Sequence, residues 1–325
     1  MKRRTFLHLA AGAATLPVLP RLAWAQTYPT RPVRVIVPFA PGGQTDVIGR
    51  LLAQKLSERL GKQYFVENLP GAGGNIGVGR ASQAAADGYT VLVTDGTSFV
   101  ANLSLYAKVP YDPFKDFEPV SLAATTTQVL TVTPSLQVQT VKDLVDLAKA
   151  HPGEYSFSSG GIGTPGHLAG ELFCLSAHVN LIHVPFGGAG PAINSTIAGH
   201  TPIAFGSPAA TAAQVTSGKL RALAVASKAW LPVLPDVPTM AEVGFPEVEC
   251  DVWVGPLVPA KTPKEIVTLL NREVNEIVVL PDMVERLTSL GFRPLPSSTE
   301  EHAARIKTES AKWAMVIPAA GIKPQ

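Results

Sequence analysis

The sequence predicts an α/β fold, because strand-like runs alternate with amphipathic helices along most of the chain. Residues 34–123 follow the order strand, helix, strand, helix, which is typical of parallel α/β units. A second set of units begins near Thr140, the expected N-cap of a helix. A glycine-rich corner between a strand and a helix also occurs three times. These observations predict two sets of α/β units with similar loops.

Residues 1–25 are typical of an export signal. A Lys-Arg-Arg run at residues 2–4 precedes an apolar, alanine-rich segment that is too short to span a membrane. The sequence Ala-Trp-Ala at residues 23–25 offers the small residues that a signal peptidase reads. The paired arginines favour the twin-arginine route. We therefore expect a periplasmic protein that is cleaved after Ala25 and begins at Gln26.

The first glycine corner, residues 38–46, joins the strand-like residues 33–37 to a helix. Gly42 and Gly43 carry no Cβ atom, so the backbone can turn sharply and a ligand can approach its N–H groups. Apolar residues at helical spacing follow, and Gly61 is placed to end the helix. The first turn directs unpaired N–H groups and the positive end of the helix dipole into the corner. This geometry suits an anion, and a carboxylate in particular.

The next part of the chain continues the strand–helix pattern. The loop at residues 71–75 leads into a helix of small residues, 76–86. A strand at 89–94 then ends in a polar corner at 94–98. The aromatic and proline-rich link at 111–120 is incompatible with a continuous helix.

The second and third glycine corners lie in the second set of units. Residues 158–167 follow a strand and precede a helix in which Pro165 is placed as the first residue. Residues 184–192 lie between a short strand and a helix that opens near Pro191. An isolated Pro-Gly-Gly sequence is as consistent with a simple turn as with a binding loop. Three such corners in one chain favour a shared ligand pocket.

Prolines interrupt residues 232–259, which predicts an extended chain that can cross between domains. Within this stretch Thr239 and Glu242 form a capping-box pattern, which predicts a short helix. A strong helix is predicted from Thr262 onwards, and a last long helix from about Glu300 to Trp313.

Composition argues against several classes of protein. The signal contains four basic residues and no acid, so its removal changes the formal net charge from +2 to −2. The mature chain therefore lacks the basic surface that nucleic-acid binding requires. Cys174 and Cys250 lie far apart and have no metal-ligand spacing, and their pairing in an oxidising compartment stays open. We expect no metal site and no nucleic-acid partner.

Five segments, taken together, resemble the Bug family, which comprises the periplasmic receptors of tripartite tricarboxylate transporters. They are residues 32–46, 70–77, 111–120, 163–173 and 234–244, and they are ordered as in the family. With the export signal, the resemblance covers essentially the whole mature chain. It implies a receptor that binds a small organic carboxylate and delivers it to the membrane subunits of a transporter. It also implies a monomer without a cofactor.

The resemblance further implies a type II periplasmic-binding-protein fold, in which a ligand cleft lies between two α/β lobes. Lobe 1 is expected to contain residues 26–124 plus 232–325, and lobe 2 residues 125–231. The hinge crossings are expected near residues 121–128 and 222–232. Aliphatic di- or tricarboxylates, aromatic carboxylates and nicotinate-like acids all remain candidate ligands.

Carried over by position, the resemblance places ligand contacts in loops of both lobes. The substrate-binding residues expected are Phe39, Ala40, Gly42, Gly43, Thr45, Asp46, Gly74, Asn75, Thr94, Thr97, Ser158, Ser159, Thr164, His167, Phe186, Gly187, Gly188, Ala189, Pro191, Ala192 and Ser207. Where many relatives have Pro-Tyr-Lys-Gly, this chain has Pro-Phe-Gly-Gly at residues 185–188, so that loop is apolar and neutral. Ser207 lies in a segment where some relatives carry an acid, which disfavours an amino-acid ligand.

Two other functions are alternatives to the receptor. Residues 161–166 fit the dinucleotide-binding pattern G-x-G-x-x-G, but the next strand ends without the acid that would bind a ribose. The sequence shows neither a Gly-x-Ser-x-Gly motif nor a closely spaced group of His, Cys and carboxylate residues, so we expect no enzymatic activity. A periplasmic sensor for a signalling partner, such as a sensor kinase, would use the same closed cleft. The choice between transport and sensing therefore stays open.

Overall fold

The computed structural model describes residues 28–322 and residue 324. The predicted export signal and the expected first mature residue, Gln26, lie outside these residues. Within the described part of the chain, none of the helices combines the length and the hydrophobicity needed to cross a bilayer.

The described residues form two sheets, one of seven strands and one of five. The strands are β1 (Val33–Val37), β2 (Tyr64–Asn68), β3 (Thr90–Asp95), β4 (Phe117–Pro119), β5 (Ala124–Thr126), β6 (Val129–Val132), β7 (Ser156–Ser159), β8 (Ile182–Pro185), β9 (Ile203–Gly206), β10 (Arg221–Val225), β11 (Val252–Pro259) and β12 (Arg293–Pro294). The helices are α1 (Gln44–Leu60), α2 (Asn75–Ser82), α3 (Gly96–Leu105), α4 (Val141–Ala150), α5 (Pro165–Ala177), α6 (Ala189–Ile197), α7 (Pro208–Thr216), α8 (Lys264–Val278), α9 (Pro281–Ser289) and α10 (Thr299–Ala319). The predicted α/β fold is confirmed.

Each sheet combines parallel and antiparallel pairs. The first sheet has the order β12-β5-β11-β3-β1-β2, with β4 paired to β11, and β1 runs parallel to both β2 and β3. The second sheet has the order β10-β6-β9-β7-β8, in which β7 runs parallel to β8 and β9. The loops after β1, β3, β7, β8 and β9 each lead into a helix. Ligands of α/β proteins bind at such carboxyl ends of strands.

Local sequence explains why the first unit forms. Strand β1 is buried along nearly its whole length, as expected for an apolar run inside a parallel sheet. Helix α1 buries Ile48, Leu52 and Leu56 at helical spacing against the first sheet. It ends at Gly61, whose φ of 68° is the left-handed conformation that glycine adopts at little cost.

The structure extends two local predictions and corrects a third. The polar corner at residues 94–98 is the start of helix α3, with Asp95 as its N-cap. Strand β11, which carries two prolines, lies inside the first sheet between β3 and β5 rather than forming a simple connection. The capping-box bonds of Thr239 and Glu242 do form, with Glu242 N–H donating to Thr239 Oγ1 at 3.2 Å, but turns follow in place of a helix.

The chain passes between the sheets twice, from β5 to β6 and from β10 to β11. The long second connection packs mainly on the second sheet. Leu231 and Leu234 join a cluster with Val225 of β10, and Met240 belongs to the main core of the second sheet. Cys174 and Cys250 are free thiols in this structure.

Candidate functional site

A small cavity lies where loops at the carboxyl ends of both sheets meet. Its volume is about 40 Å³, which is room for a few water molecules. The residues that line it are Phe39, Gly43, Gln44, Thr45, Asp95, Gln128, Gly160, Thr164, Pro165, Gly166, Ala189, Phe205 and Ser207. Both sheets contribute to this wall, so its shape depends on how the two sheets are placed relative to each other.

Five of the described helices begin at the wall of this cavity. The N-cap residues of α1, α3, α5 and α7 line it, and so does the first residue of α6. The first N–H groups of a helix have no partner within the helix, and the positive end of its dipole lies there. The cavity is therefore surrounded by main-chain donors and partial positive charge, which is an environment that stabilises an anion.

No side chain caps the N-terminus of α1. Its N-cap is Gly43, an extended residue that offers no side-chain cap. Asp46 instead braces the loop from the side: its Oδ2 accepts from Gly42 N–H at 3.0 Å, and its Oδ1 accepts from Asn68 Nδ2 at 2.9 Å. Arg50 Nε also donates to Asp46 Oδ2, at 3.1 Å. Because Asp46 is occupied in this way, the N–H groups at the start of the helix remain available to the cavity.

Ser207 supplies an unused hydroxyl group. Its side chain is 2% exposed, and its Oγ has no hydrogen-bond partner among the described residues. Thr97 Oγ1, in the first turn of α3, is likewise buried without a partner in that part of the chain. By contrast, Thr164 Oγ1 donates to Gly161 O at 2.6 Å. Since buried hydroxyl groups are nearly always paired, the Ser207 hydroxyl indicates where a polar ligand atom would bind.

Asp95 is the one described lining residue that can carry a charge, and none of the others is Lys or Arg. Burial raises its pKa to about 6, while hydrogen bonds from Ser98 partly oppose that rise. Asp95 Oδ1 accepts from Ser98 N–H at 2.8 Å as the N-cap of α3, and Oδ2 accepts from Ser98 Oγ at 3.1 Å. Neutral donors therefore stabilise an anion in this cavity, whereas the ionised carboxylate of Asp95 repels it.

Loops of the two sheets touch beside the cavity. Ala40 N–H, after β1, donates to Gly187 O, after β8, at 2.9 Å. Gln128 Nε2 donates to Gln44 Oε1 at 3.2 Å. The loops approach so closely that a Cβ atom on Gly190 would collide with the carbonyl oxygen of Pro41. The structure thus has the two sheets drawn together over the cavity.

A second cavity, of about 310 Å³, adjoins the first. Phe39 and Gly160 belong to both walls, so the Phe39 ring lies at the boundary between the two spaces. The second wall is mostly glycine and apolar side chains, including Ile162 and Phe186. Its character suits the hydrocarbon part of a ligand.

The structure brings part of the predicted set together. The first wall contains Phe39, Gly43, Thr45, Thr164, Ala189 and Ser207, and the second contains Phe39, Gly74, Phe186 and Gly187. The predicted residues outside both walls are Ala40, Gly42, Asp46, Asn75, Thr94, Thr97, Ser158, Ser159, His167, Gly188, Pro191 and Ala192.

Several of these outlying residues support the loops. Asn75 Oδ1 accepts from Asn102 Nδ2 at 2.8 Å, and Ser158 Oγ lies 2.9 Å from Thr196 Oγ1. His167 is buried in the first turns of α5, and burial lowers its pKa to about 4. All three are tied to protein groups or buried away from the cavity.

The sequence interpretation missed seven residues that line the first cavity: Gln44, Asp95, Gln128, Gly160, Pro165, Gly166 and Phe205. For Asp95 a signal existed, because an Asp at a strand end followed by small polar residues is typical of an N-cap. Gln128 had no comparable local signal, since it reaches the wall from the crossing between the sheets.

Comparisons with known proteins agree with this geometry. Residues 48–322 match the family described as the tripartite tricarboxylate transporter family receptor. The protein BugT of Bordetella pertussis is 37% identical over 300 residues, covering 92% of this chain and 92% of BugT. The similarity to that relative thus extends over most of both chains.

Two solved structures are similar over most of the chain. One is an R. palustris protein solved with adipate, with a TM-score of 0.89, 34% identity, and coverage of 92% of this chain and 100% of that one. The other is MatC from Rhodopseudomonas palustris with bound malate, with a TM-score of 0.84, 30% identity, and coverage of 89% and 100%. These likenesses confirm the expected two-lobe periplasmic-binding-protein fold.

We predict that Asp95→Asn stabilises the protein in a pH-dependent way. The folded-state pKa of Asp95 is raised to about 6, so wild type loses stability as the pH rises from about 4 through 6, where the folded protein must release a proton from a buried acid. Asparagine keeps the N-cap acceptor without that cost. Above pH 6 the variant should gain up to about 3 kcal/mol in free energy of unfolding, and near pH 4 little.

Urea unfolding between pH 4 and pH 8 measures this difference. The control is Asp236→Asn, a change of an exposed acid. A gap between wild type and Asp95→Asn that stays constant across the pH range would show that Asp95 is not a buried acid with a raised pKa.

Proposed function

Because the chain belongs to the family of tripartite tricarboxylate transporter receptors, we propose that it binds a small organic carboxylate between its two lobes and delivers it to the membrane subunits of such a transporter. The lobes are the seven-stranded and the five-stranded sheets with their helices. Two relatives, solved with adipate and with malate, carry dicarboxylates. We propose that this chain also binds a dicarboxylate.

One observation carries the proposal: five helix N-termini from two sheets converge on one cavity that has no Lys or Arg among its described lining residues. A carboxylate supplies the negative charge that these donors can stabilise. Charge-assisted hydrogen bonds contribute about 1.5–3 kcal/mol each, and a partly buried helix end up to about 2 kcal/mol. Micromolar affinity corresponds to about −8 kcal/mol, and because association itself costs at least about 4 kcal/mol, several of these donors must act together with burial of the carbon chain.

In this proposal the two cavities bind different parts of the ligand. One carboxylate group binds at the helix ends and the Ser207 hydroxyl. The carbon chain passes Phe39 into the larger, mostly apolar cavity beside Phe186. The first cavity alone, at about 40 Å³, is too small for a dicarboxylate of adipate size, so the Phe39 ring and the loops must move apart to admit it.

In this proposal, closure of the two lobes lets the transporter recognise the liganded receptor. An open form admits the ligand, contacts from both lobes favour the closed form, and the membrane partner distinguishes the two. We propose hinges where the chain passes between the sheets. The first corresponds to the expected crossing near residues 121–128. The packing of residues 231–250 on the second sheet favours extending lobe 2 to about residue 251, beyond the expected crossing at 222–232.

We propose a periplasmic monomer, exported with cleavage after Ala25, that acts without catalysis and without a cofactor. A receptor that reports its ligand to a sensor kinase would close in the same way, and no contact in the described structure favours that alternative over transport.

A binding screen of residues 26–325 tests the ligand class. Calorimetry with adipate, malate, citrate, phthalate and nicotinate should find at least one ligand with a dissociation constant near the micromolar range. Its amide analogue should bind at least tenfold more weakly, because a neutral amide gains less from helix dipoles. Equal affinity for acid and amide, or no binding by any acid of the panel, would contradict a carboxylate receptor.

We predict that Gly43→Val abolishes ligand binding and leaves the fold intact. Gly43 has φ −93° and ψ 173°, a conformation that valine adopts readily. A Cβ atom at this position would lie 3.2 Å from Ala189 Cβ on the other lobe, and the methyl groups of valine would extend into the cavity. Calorimetry should detect no binding while the melting temperature changes little. Wild-type affinity in this variant would remove Gly43 from the site.

We predict that Gly190→Ala blocks closure. Gly190 lies in helix α6, where alanine is tolerated locally, but its Cβ would meet Pro41 O on the other lobe. Affinity should fall at least tenfold, and the ligand should no longer reduce the radius of gyration in small-angle scattering. Asn194→Ala, on an exposed position of the same helix, is the matched control and should close normally. Normal closure in both variants would show that this contact does not limit the closed form.

A further inference from the structure

Three side chains that can bind a metal ion meet in the second lobe, outside the carboxylate cavity. His167 and Glu171 lie one turn apart on α5, and His183 lies on β8. One ligand atom from each residue lies within 4.8 Å of the others, and the two imidazole rings are 4.2 Å apart between centroids. The sequence interpretation saw no closely spaced group of this kind, because His183 joins the other two only through the fold.

The ring of His183 is held by a hydrogen bond at one of its two nitrogens. Its Nε2 lies 2.7 Å from Ser159 Oγ. The Ser159 hydroxyl donates to Gly161 O at 3.1 Å, so the proton between His183 and Ser159 belongs to the imidazole. Nδ1 of His183 therefore keeps its lone pair. Ligand histidines in metalloproteins are commonly held in this way, with the second ring nitrogen donating to an outer partner.

His167 presents its Nε2 to Glu171. Nε2 lies 3.6 Å from Glu171 Oε1, while Nδ1 accepts a long hydrogen bond of 3.2 Å from Gly163 N–H. A metal ion at Nε2 replaces the proton there. The ring proton then moves to Nδ1, and the Gly163 bond is given up. The long length of that bond makes it the weaker of the contacts that orient the two rings.

The distances are close to those of an occupied site. Zinc lies about 2.0–2.2 Å from nitrogen and oxygen ligands, so two ligand atoms on one ion are at most about 4.4 Å apart. The observed spread of 4.8 Å exceeds this by little. Glu171 is partly exposed, so its side chain has room to move towards the two imidazoles.

One side of the group is open. A cavity of about 490 Å³ adjoins it, lined by the three side chains together with Ile162, Pro185, Gly321 and Ile322. Water or another small ligand has room there to complete the coordination sphere. Two imidazoles and one carboxylate with open positions are a ligand set of zinc and other divalent transition metals, whereas Mg²⁺ and Ca²⁺ prefer oxygen ligands.

We propose that His167, Glu171 and His183 form a binding site for one divalent transition-metal ion, with Zn²⁺ as the ion that the ligand set suits best. The site lies directly behind the loop at residues 159–164, which contributes to both ligand cavities. None of its three ligands lines those cavities, so ion binding can be measured separately from carboxylate binding.

Calorimetry with ZnCl₂ on the mature, untagged and EDTA-treated protein tests this site. We expect one ion per chain, bound with micromolar or tighter affinity. Substitution of Co²⁺ should give visible absorption bands of a protein-bound ion. If neither Zn²⁺ nor Co²⁺ binds with one ion per chain, the proposal is wrong.

Conservative variants locate the ion. His183→Gln and Glu171→Gln should each weaken Zn²⁺ binding at least tenfold and remove the Co²⁺ bands. Glu171 is partly exposed, so its variant should fold even if the change at His183 is not tolerated. The control is His151→Gln, since His151 Nδ1 lies 2.9 Å from Glu154 Oε2 on the surface and forms another His–Glu pair. Unchanged binding in folded Glu171→Gln, or loss of binding in His151→Gln, would place the ion elsewhere.

Discussion

The close approach of two main-chain loops is the contact on which the site depends. The loop after β1 donates a hydrogen bond from Ala40 to Gly187 of the loop after β8, and glycines on both sides let the backbones come within contact distance. Side chains at those positions would hold the lobes apart. Because the donors are backbone groups, their positions are set by the strands and helices that carry them. The anion site is therefore complete only when the two sheets are correctly placed.

A site of this kind differs from one built around an arginine. An arginine offers a planar fork that selects for carboxylate or phosphate geometry, at the entropic cost of fixing a long side chain. Helix ends and N–H groups are already ordered by the fold, so little further ordering is needed when the ligand binds. Asp95 works in the opposite direction. A buried acid at the wall disfavours a second negative charge near α3, so a ligand with one carboxylate at this end fits better than one with a cluster of them.

The sequence predicted those parts of the fold whose signals are local. The corners at residues 38–46, 158–167 and 184–192 were found because glycine and proline mark turns and helix starts within a few residues. The start of α3 was missed although Asp95 is a typical N-cap residue, because the small polar residues that follow it are not part of an apolar periodic pattern. Strand β11 was missed because its prolines argue against a strand, and its place in the sheet is set by partners more than a hundred residues away. Non-local contacts of this kind leave no periodic pattern to detect.

The loop at residues 159–164 connects features that the sequence presents separately. Gly160 and Thr164 line the ligand cavity, while Ser159 and Gly163 hydrogen-bond to the two histidines behind it. An ion that took the Gly163 acceptor away from that loop would change the freedom of the residues that close over the ligand. Coupling between two sites is reciprocal, so a ligand that orders the loop changes the affinity for the ion by the same factor. The contacts with the cavity and the contacts with the histidines lie within the same six residues, so we expect a change in one set to shift the other.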